Sequence, residues 1–492
     1  MLATATRLLE SLRLSAADGP PDMNRLHYAG PRPRAPLFVA CLAGFLLAGA
    51  CRAPDAAPPT KDRAPIAVRE AYKNATDPGK VADDWLATFG DMRLNALVAE
   101  AGRNNPDLAI AAARRDRAAA EAGKADAALS PKVDAVGGAE RGSDPRGTAS
   151  SFNLGLSVSW EADVWGRLSN AAQAAALDAV AAQSDYEYAR QSIAAKTAQG
   201  WFLAIAAKEQ VALDAALLAQ RERLARVVKA RHDVGEAKRS DLDTAEGQAA
   251  AARQALEASK GVQDAALRSL EALLGRYPSN DIETDDGLPV LPAEPPVGLP
   301  SELLERRPDV VAADRRVAAA FGRVGSAKAA KLPRLALTAG GGQAGGDLAN
   351  LFNPANAVWN LGANLLGPLF DGGEREASVR IAQAAEREAL AGWVKTAQRA
   401  FLEVETALAN ERVLRARELE LAEAAARLLR ARDALEERYK DGDSTILDVD
   451  QAHANHAAAA KGLLQVRQEL FQQRINLHLA LGGSFEPASS AP

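Results

Sequence analysis

The sequence predicts a mainly α protein with a small β part. It reads as an internal duplication in which each half carries long, coiled-coil-like helices and one β-hairpin. Three observations predict this. The 492 residues are 5% aromatic and 25% charged with both signs mixed, and long runs of Ala, Leu, Glu, Arg and Gln mark extended helices with thin, small-residue seams. Phe152 to Val164 alternate apolar with polar throughout, the period of a half-apolar strand. Finally, the chain repeats itself. Asn105-Pro106-Asp107 returns as Arg307-Pro308-Asp309, and Pro131-Lys132-Val133 as Pro333-Arg334-Leu335, both displaced by 202 positions. Leu154-Gly155 returns as Leu361-Gly362, Gly235 as Gly442, Asp241-Leu242-Asp243 as Asp448-Val449-Asp450, and Leu274-Gly275 as Leu481-Gly482, all displaced by 207. Such a period is too long for a solenoid and marks a duplicated half-protein, with a longer hairpin loop in the second copy.

The elements follow in order. Leu37 to Ala48 is a short apolar run behind Arg32 and Arg34. This is the layout of an export signal, and the run is too short to span a bilayer. Leu47-Ala48-Gly49-Ala50-Cys51 resembles a bacterial lipoprotein processing site with cleavage before Cys51. Residues 1–50 are then a signal, with Met23 as an alternative start. The other cysteine, Cys41, leaves with the signal, so no disulfide is expected. Arg52, by the same resemblance, points to the outer membrane. Residues 51–90, rich in Pro, Ala and charge, read as a lipidated, extended tether.

A first repeat, 91–276, opens with a helical pattern from Arg93 to Leu129. It is interrupted at Asn105-Pro106 and stopped by Pro131. A β-hairpin at about 133–164 follows, with Gly142 to Ser151 as its polar loop. A helical tract from about Gly166 to Val234 spans roughly 100 Å, and a second returns from Asp241 to Leu274. The Pro-rich stretch 277–300 cannot be regular helix and reads as a linker packed outside the helices. The second repeat, 301–483, has its hairpin at about 335–366 and helical tracts from Gly373 to Asp441 and from Asp448 to Leu481. Leu414, Leu421, Leu428 and Leu435 fall seven apart, a coiled-coil-like seam. Residues 484–492 form a tail. Pro131 and Pro333 stand where helix hands over to strand. Gly166, Pro368, Gly372 and Gly373 stand where strand hands back to helix, and these residue types permit the change of direction.

Four alternating strands of about ten residues have the size of outer-membrane barrel staves, although a soluble half-buried sheet has the same period. Open edges are not tolerated in lipid, and the smallest such barrels have about eight strands. Membrane strands would therefore be pooled between subunits, eight from a dimer or twelve from a trimer.

Several stretches carry a family resemblance. They are Leu299-Pro300-Ser301-Glu302-Leu303-Leu304-Glu305-Arg306-Arg307-Pro308-Asp309-Val310, its first-copy partner Asn105-Pro106-Asp107-Leu108, Gly367-Pro368-Leu369-Phe370-Asp371-Gly372-Gly373, and Arg438-Tyr439-Lys440-Asp441-Gly442. Taken with the duplication and the processing site, nearly all of the chain after Cys51 resembles the outer membrane efflux proteins. These are the TolC-like outer-membrane channel components of tripartite pumps, and the chain resembles especially their lipoprotein branch. The resemblance implies a homotrimer whose shared twelve-stranded β-barrel continues as a long α-helical barrel, a tunnel in the periplasm. It implies an equatorial belt made from the N-terminal segment, the linker and the tail. It also implies a passive pore, a periplasmic adaptor and an inner-membrane RND-type transporter as partners, and a lipid-anchored place in a Gram-negative outer membrane. No cofactor is expected beyond the covalent lipid at Cys51.

The candidate site lies at the two helical hairpin tips. Gly235 and Gly442 supply the positive-φ residue that ends a helix. Ser240 to Asp243 and Thr445 to Asp448 have capping-box spacing, with Asp in place of Glu. By resemblance, the second-copy tip, Tyr439 to Asp450, lines the periplasmic entrance. Threefold symmetry would gather three Asp448 carboxylates there, attracting cations and raising one another's pKa. Leu447 is a candidate hydrophobic constriction. Asp450 is a neighbouring acid, because the family's second aperture aspartate falls on Gln451; Ser444 stands where some members carry a latching Arg. The tips, with Gly235, Asp241, Asp243, Tyr439 and Gly442, are also the expected docking place of the adaptor, and Glu236 and Lys238 are candidates by exposure alone.

The net charge of -5 leaves no footprint for nucleic acid. His453 and His456, at i and i+3, lack a third metal-ligand type and read better as a solvated helix face. Neither a nucleophile motif nor a phosphate loop stands in the right context, so no enzymatic activity is expected. Three functions remain. The first is an efflux duct for small toxic compounds, favoured by the family stretches. The second is an outer-membrane duct for type I protein secretion. The third is a lipid-tethered periplasmic scaffold without a pore, against which the two matched hairpins stand.

Overall fold

The computed structural model describes residues 57–64, 66–73, 79–81, 83–145 and 147–486. The export signal, Cys51 and residues 487–492 lie outside the described residues. A short helix, α1 (Thr60–Arg63), and a 3-10 turn (Trp85–Phe89) precede α2 (Met92–Asn104) and α3 (Pro106–Ala127). Strands β1 (Lys132–Asp144) and β2 (Gly147–Ala162) form the first hairpin, and α4 (Arg167–Asp233) and α5 (Arg239–Leu273) the first helical hairpin. The second half contains α6 (Pro300–Arg306), α7 (Pro308–Ala329), β3 (Arg334–Gly345), β4 (Ala357–Leu366), α8 (Glu374–Lys440) and α9 (Ile446–Ala480). The halves match closely. Helices α3 and α7 each have 22 residues, α4 and α8 each have 67, and α5 and α9 each have 35. The 67-residue shafts are about 100 Å long.

The helix junctions explain why the Asn-Pro-Asp and Arg-Pro-Asp stretches recur. Asn105 and Arg307 both hold extended backbone ahead of a proline that opens a helix. Asn105 Oδ1 accepts the Asp107 N–H at 2.9 Å, and its Nδ2 donates to the Leu273 carbonyl at 2.8 Å. Arg307 does the second job with other chemistry, donating from Nη1 to the Ala480 carbonyl at 3.2 Å. Ala480 is the residue that a 207-position displacement matches to Leu273. Each half thus ties the start of its short helix to the end of its returning helix. Arg307 is 1% exposed and pairs with Asp309 and Glu403, both at 2.7 Å, which is what a buried guanidinium requires.

Two apolar clusters sit about halfway down the shafts. One gathers Leu94, Trp201, Phe202, Ile205, Phe471 and Ile475; the other gathers Val310, Trp393, Val404 and Leu477. Nearer the sheet the shafts pack through small buried residues such as Ala172, Ala174 and Ala181. The expectation of an extended tether over 51–90 needs correction in its described part. Trp85, Leu86 and Phe89 belong to the first cluster and Tyr72 and Val81 to the second, so this stretch is a strap built into the core. The linker also packs inward, and Val297 is 1% exposed.

Within the first cluster, His478 stacks on Trp85 with ring centroids 5.4 Å apart. Its Nδ1 is buried without a partner. Burial, with Arg474's charge as the lesser cause, pushes its pKa down to about 3. A histidine held neutral stabilises the fold above its free pKa of about 6.5, and that contribution is lost as pH falls toward 3. Stability is expected to drop by about 2 kcal/mol between pH 6.5 and 5. Chemical unfolding at the two pH values measures it, and His478→Phe, which keeps the stack, should remove that slope.

The four strands form one antiparallel sheet in the order β1-β2-β3-β4. The β2–β3 pairing joins the halves, with Ser157 opposite Gly340. The outer edges of β1 and β4 have no strand partner among the described residues. The expected polar loop at 142–151 is mostly strand, because Gly142, Ser143 and Asp144 pair with Ala149, Thr148 and Gly147. Strand pairing uses backbone groups, so these polar residues extend the ladder as readily as apolar ones. The longer second loop folds into two 3-10 turns, Leu348–Asn350 and Pro354–Asn356.

Candidate functional site

Alternation divides the sheet into two faces. The register aligns Val133, Val158, Ala339 and Leu361 in one row across all four strands, and Asp134, Ser157, Gly340 and Asn360 in the next. One face is therefore apolar and the other polar or bare. The apolar face is open to the surroundings: Leu156 is 57% exposed, Leu361 63% and Leu365 70%. On β2 its row is bounded by Phe152 and Trp160, about 26 Å apart at strand rise, which is the height of a lipid-facing band. Trp160 and Trp165 pin the base of the sheet, donating from Nε1 to the carbonyls of Leu129 and Pro333 at 2.9 and 2.7 Å. Among the described residues no helix is long and apolar enough to cross a membrane.

The crossings between sheet and shaft lie where the sequence places them. Pro131 and Pro333 immediately precede β1 and β3, and Pro368 lies between β4 and α8 in a turn that exposes Leu369 and Phe370 fully. Gly166 and Gly373 cap α4 and α8 at φ 74° and 90°, and Gly372 is also left-handed at 63°. Two capping acids were not foreseen. The Asp163 carboxylate accepts the N–H groups of Leu168 and Ser169 at 2.9 and 2.7 Å. Asp371 accepts those of Gly373 and Arg375 at 3.0 and 3.3 Å. They are not related by the 207-residue displacement, so the repeat could not point to them.

The two tips close alike. Gly235 and Gly442, at φ 82° and 85°, end the shafts in Schellman turns. In these, Glu236 N–H reaches the Arg231 carbonyl and Asp443 N–H the Arg438 carbonyl, both at 2.8 Å. The Gly442 N–H also reaches the Tyr439 carbonyl at 3.2 Å. Thr445 and Asp448 form the expected capping box. Asp448 accepts the Thr445 N–H at 2.9 Å and its hydroxyl at 2.7 Å, while Thr445 Oγ1 accepts the Asp448 N–H at 3.2 Å. Those bonds, the hydroxyl's first, hold the Asp448 carboxyl below the usual carboxylate range within one subunit. The first-copy box is not Ser240 to Asp243. Asp241 accepts the Lys238 N–H at 3.2 Å, and Asp243 instead pairs with Arg239 along the helix.

Leu447 is 52% exposed beside Asp448, but Asp450 faces elsewhere. It is 4% exposed, with Arg221 Nε of α4 3.0 Å from its Oδ1. The two atoms are not aligned as a hydrogen bond. Two residues along a helix is more than half a turn, so Asp450 seats α9 on α4 and does not share Asp448's aspect. Burial pushes its pKa up. Gln451 bonds along its own helix to Asn455, and Ser444 donates to the Leu435 carbonyl. His453 is not on a solvated face, since its Nε2 lies 2.5 Å from Glu436 Oε1. Glu236 and Lys238 are exposed as expected.

A sheet with one lipid-compatible face, carried on helical shafts about 100 Å long, defines a channel-forming outer-membrane protein. The comparisons agree. The family model for outer membrane efflux proteins matches residues 97–276 and 299–483, and the chain belongs to that family. It is 30% identical over 475 residues to the pyoverdine export outer membrane protein OpmQ of Pseudomonas aeruginosa, covering 91% of this chain and 97% of that one. It is 29% identical over 409 residues to the cation efflux system protein CusC of Escherichia coli K12, covering 81% and 88%. The solved outer-membrane channel OprN superposes with a TM-score of 0.79 at 25% identity, over 86% of this chain and 98% of that one. The protein is an outer-membrane efflux channel component of a Gram-negative cell.

Proposed function

We propose that three copies of this chain form the passive exit duct of a tripartite pump for small toxic compounds. A periplasmic adaptor would seat on the helical tips and bridge to an inner-membrane RND-type transporter, which supplies the energy. The observation that carries this reading is the four-stranded sheet, exposed on its apolar face and, among the described residues, unpaired at both edges. Lipid does not tolerate open edges, and twelve strands from three copies remove them. The polar face then lines the pore. Cys51 carries the lipid anchor in this reading. Arg63, near the start of the described strap, pairs with Glu386 of α8 and lies over the Phe321 ring of α7, on the sheet side of the core. From Cys51 to Thr60 the chain can span about 30 Å, while Phe321 is about 18 Å below Pro333 at helical rise. An extended chain of that length is long enough to bring the anchor to the membrane.

Light scattering in detergent should give a trimer, and planar bilayers should register discrete conductance; a monomer without conductance would overturn the proposal. At the periplasmic end, three Asp448 carboxylates form the cation ring and Leu447 the constriction around them. Asp448→Asn is expected to reduce cation preference, read as a reversal potential under a salt gradient that moves toward zero. An unchanged potential would remove Asp448 from the ring.

A further inference from the structure

We propose that the tunnel wall carries a dwell site for amphipathic organic anions, compounds with one acidic group on an apolar body. The site is a groove along α7, where that helix lies between α4 and α8. The inference rests on the duct reading above and names a substrate class that the wall of the duct would hold.

One stretch of the groove has a volume of about 430 Å³, which is the size of a small-molecule site. Ala320 of α7 with Ile381 and Ala385 of α8 give it an apolar lining, and Asp178, Arg316 and Arg323 supply its charge. A second stretch of about 320 Å³, nearer the sheet, shares Arg323 and adds Arg167. Three arginines and one aspartate therefore line the groove. Arg316 and Arg323 stand seven residues apart on one face of α7, about 10 Å along its axis. Each uses only Nη2 on an α4 carboxylate, Arg316 on Asp185 and Arg323 on Asp178. Their Nε and Nη1 groups have no partner among the described residues, and both side chains are half-exposed. Planar guanidinium donors left open beside an apolar lining match a carboxylate or sulfonate carried on an apolar body.

Two observations put the groove inside the tunnel. Arg167 pairs with Glu161, with Nη2 2.8 Å from Oε2 and Nε 3.0 Å from Oε1. Glu161 belongs to the polar row of β2 with Ser157 and Ser159, the face that lines the pore in the duct reading, so the groove continues that face downward. The strap lies on the other flank of α7, where Arg63 sits over the Phe321 ring. Phe321 and Arg323 are about 200° apart around the helix. The strap leads to the lipid anchor and so runs outside the tube, which leaves Arg323 on the inside. The pair of arginines is not a by-product of the duplication, because the first-half counterparts of Arg316 and Arg323 are Arg114 and Glu121.

Titration calorimetry on the full-length protein in lipid nanodiscs, with empty nanodiscs as the blank, tests the site. The probes are naphthalene-2-sulfonate and its neutral sulfonamide, which share one apolar body. The sulfonate should bind at least about tenfold more tightly than the sulfonamide, and Arg316→Gln with Arg323→Gln should remove that difference. Asp178→Asn, which frees Arg323, should tighten sulfonate binding about threefold. A loss of helix packing would move it the other way. Equal binding of the two probes, a double variant that binds the sulfonate as the parent does, or no tightening by Asp178→Asn overturns the site alone, in a sample that is trimeric by light scattering and conducts in planar bilayers. A monomeric sample without conductance overturns the duct reading, and the placement of the groove in a lumen with it.

Discussion

Arg474→Leu is expected to lower stability by about 3–5 kcal/mol, and Glu411→Ala added to it should recover about 2 kcal/mol of that loss. Arg474 is wholly buried and Glu411 is 2% exposed. The pair is bonded through both guanidinium edges, with Nε 3.2 Å from Oε2, and Arg474 Nη1 also donates to the linker carbonyls of Pro292 and Ala293. Removing the arginine alone leaves a buried carboxylate with only Arg415 Nε, 3.9 Å from its Oε1, which is a costly state. The other half of the molecule contains the apolar solution at the same place. The first-half counterparts of Arg474 and Glu411 are Leu267 and Ala204, both buried and packed together. The double variant copies that solution into the second half. Its residual deficit, about 1–3 kcal/mol, is that of the linker carbonyls left without a donor. Denaturant midpoints of the three proteins in detergent measure both steps. A double variant as unstable as the single one would refute the exchange.

The second large effect is expected at Gly342. Gly155 and Gly342 face each other across β2 and β3. A Cβ on Gly342 would lie 2.4 Å from the Leu154 carbonyl oxygen and 2.6 Å from Gly155 Cα. These are backbone atoms, so no side-chain rotation relieves the clash, and the ladder that joins the two halves must open. Gly342→Val should abolish the proposed trimer, read by light scattering in detergent, and the protein's yield in outer membranes. Gly341→Val is the control. Gly341 lies on the apolar face, and its nearest atom, the Val358 carbonyl oxygen, is 3.8 Å away. Equal yields of the two variants would show that the close approach is not needed.

Much of this architecture was legible before any coordinates. Helices of 35 and 67 residues and an alternating strand are long periodic signals, and the duplication measures each of them twice. What escaped was short or depended on facing. The 3-10 turn at Trp85–Phe89 is five residues long and has no period to detect inside a Pro- and Ala-rich stretch. The ends of the first hairpin were lost because Gly142 to Ser151 is polar on both faces. Asp448 and Asp450 were both evident as tip acids, but the burial of one against Arg221 depends on how α9 is rotated against α4. Composition carries no record of that angle. Likewise Asp163 and Asp371 cap their helices from turns of different shape, which leaves no common spacing.

The equal shafts have a geometric consequence. Ala162 and Leu366, the last residues of β2 and β4, stand opposite Leu335 and Arg334, neighbours at the foot of β3. Helices α4 and α8 follow these strands, and both descend 67 residues. At the second tip, Ile446 packs against the cluster of Leu224, Val228 and Leu242 near the first, so the two tips are braced side by side. Four residues inserted into α4 alone would lower the first tip by about 6 Å and break that brace, with every residue of sheet and tip unchanged.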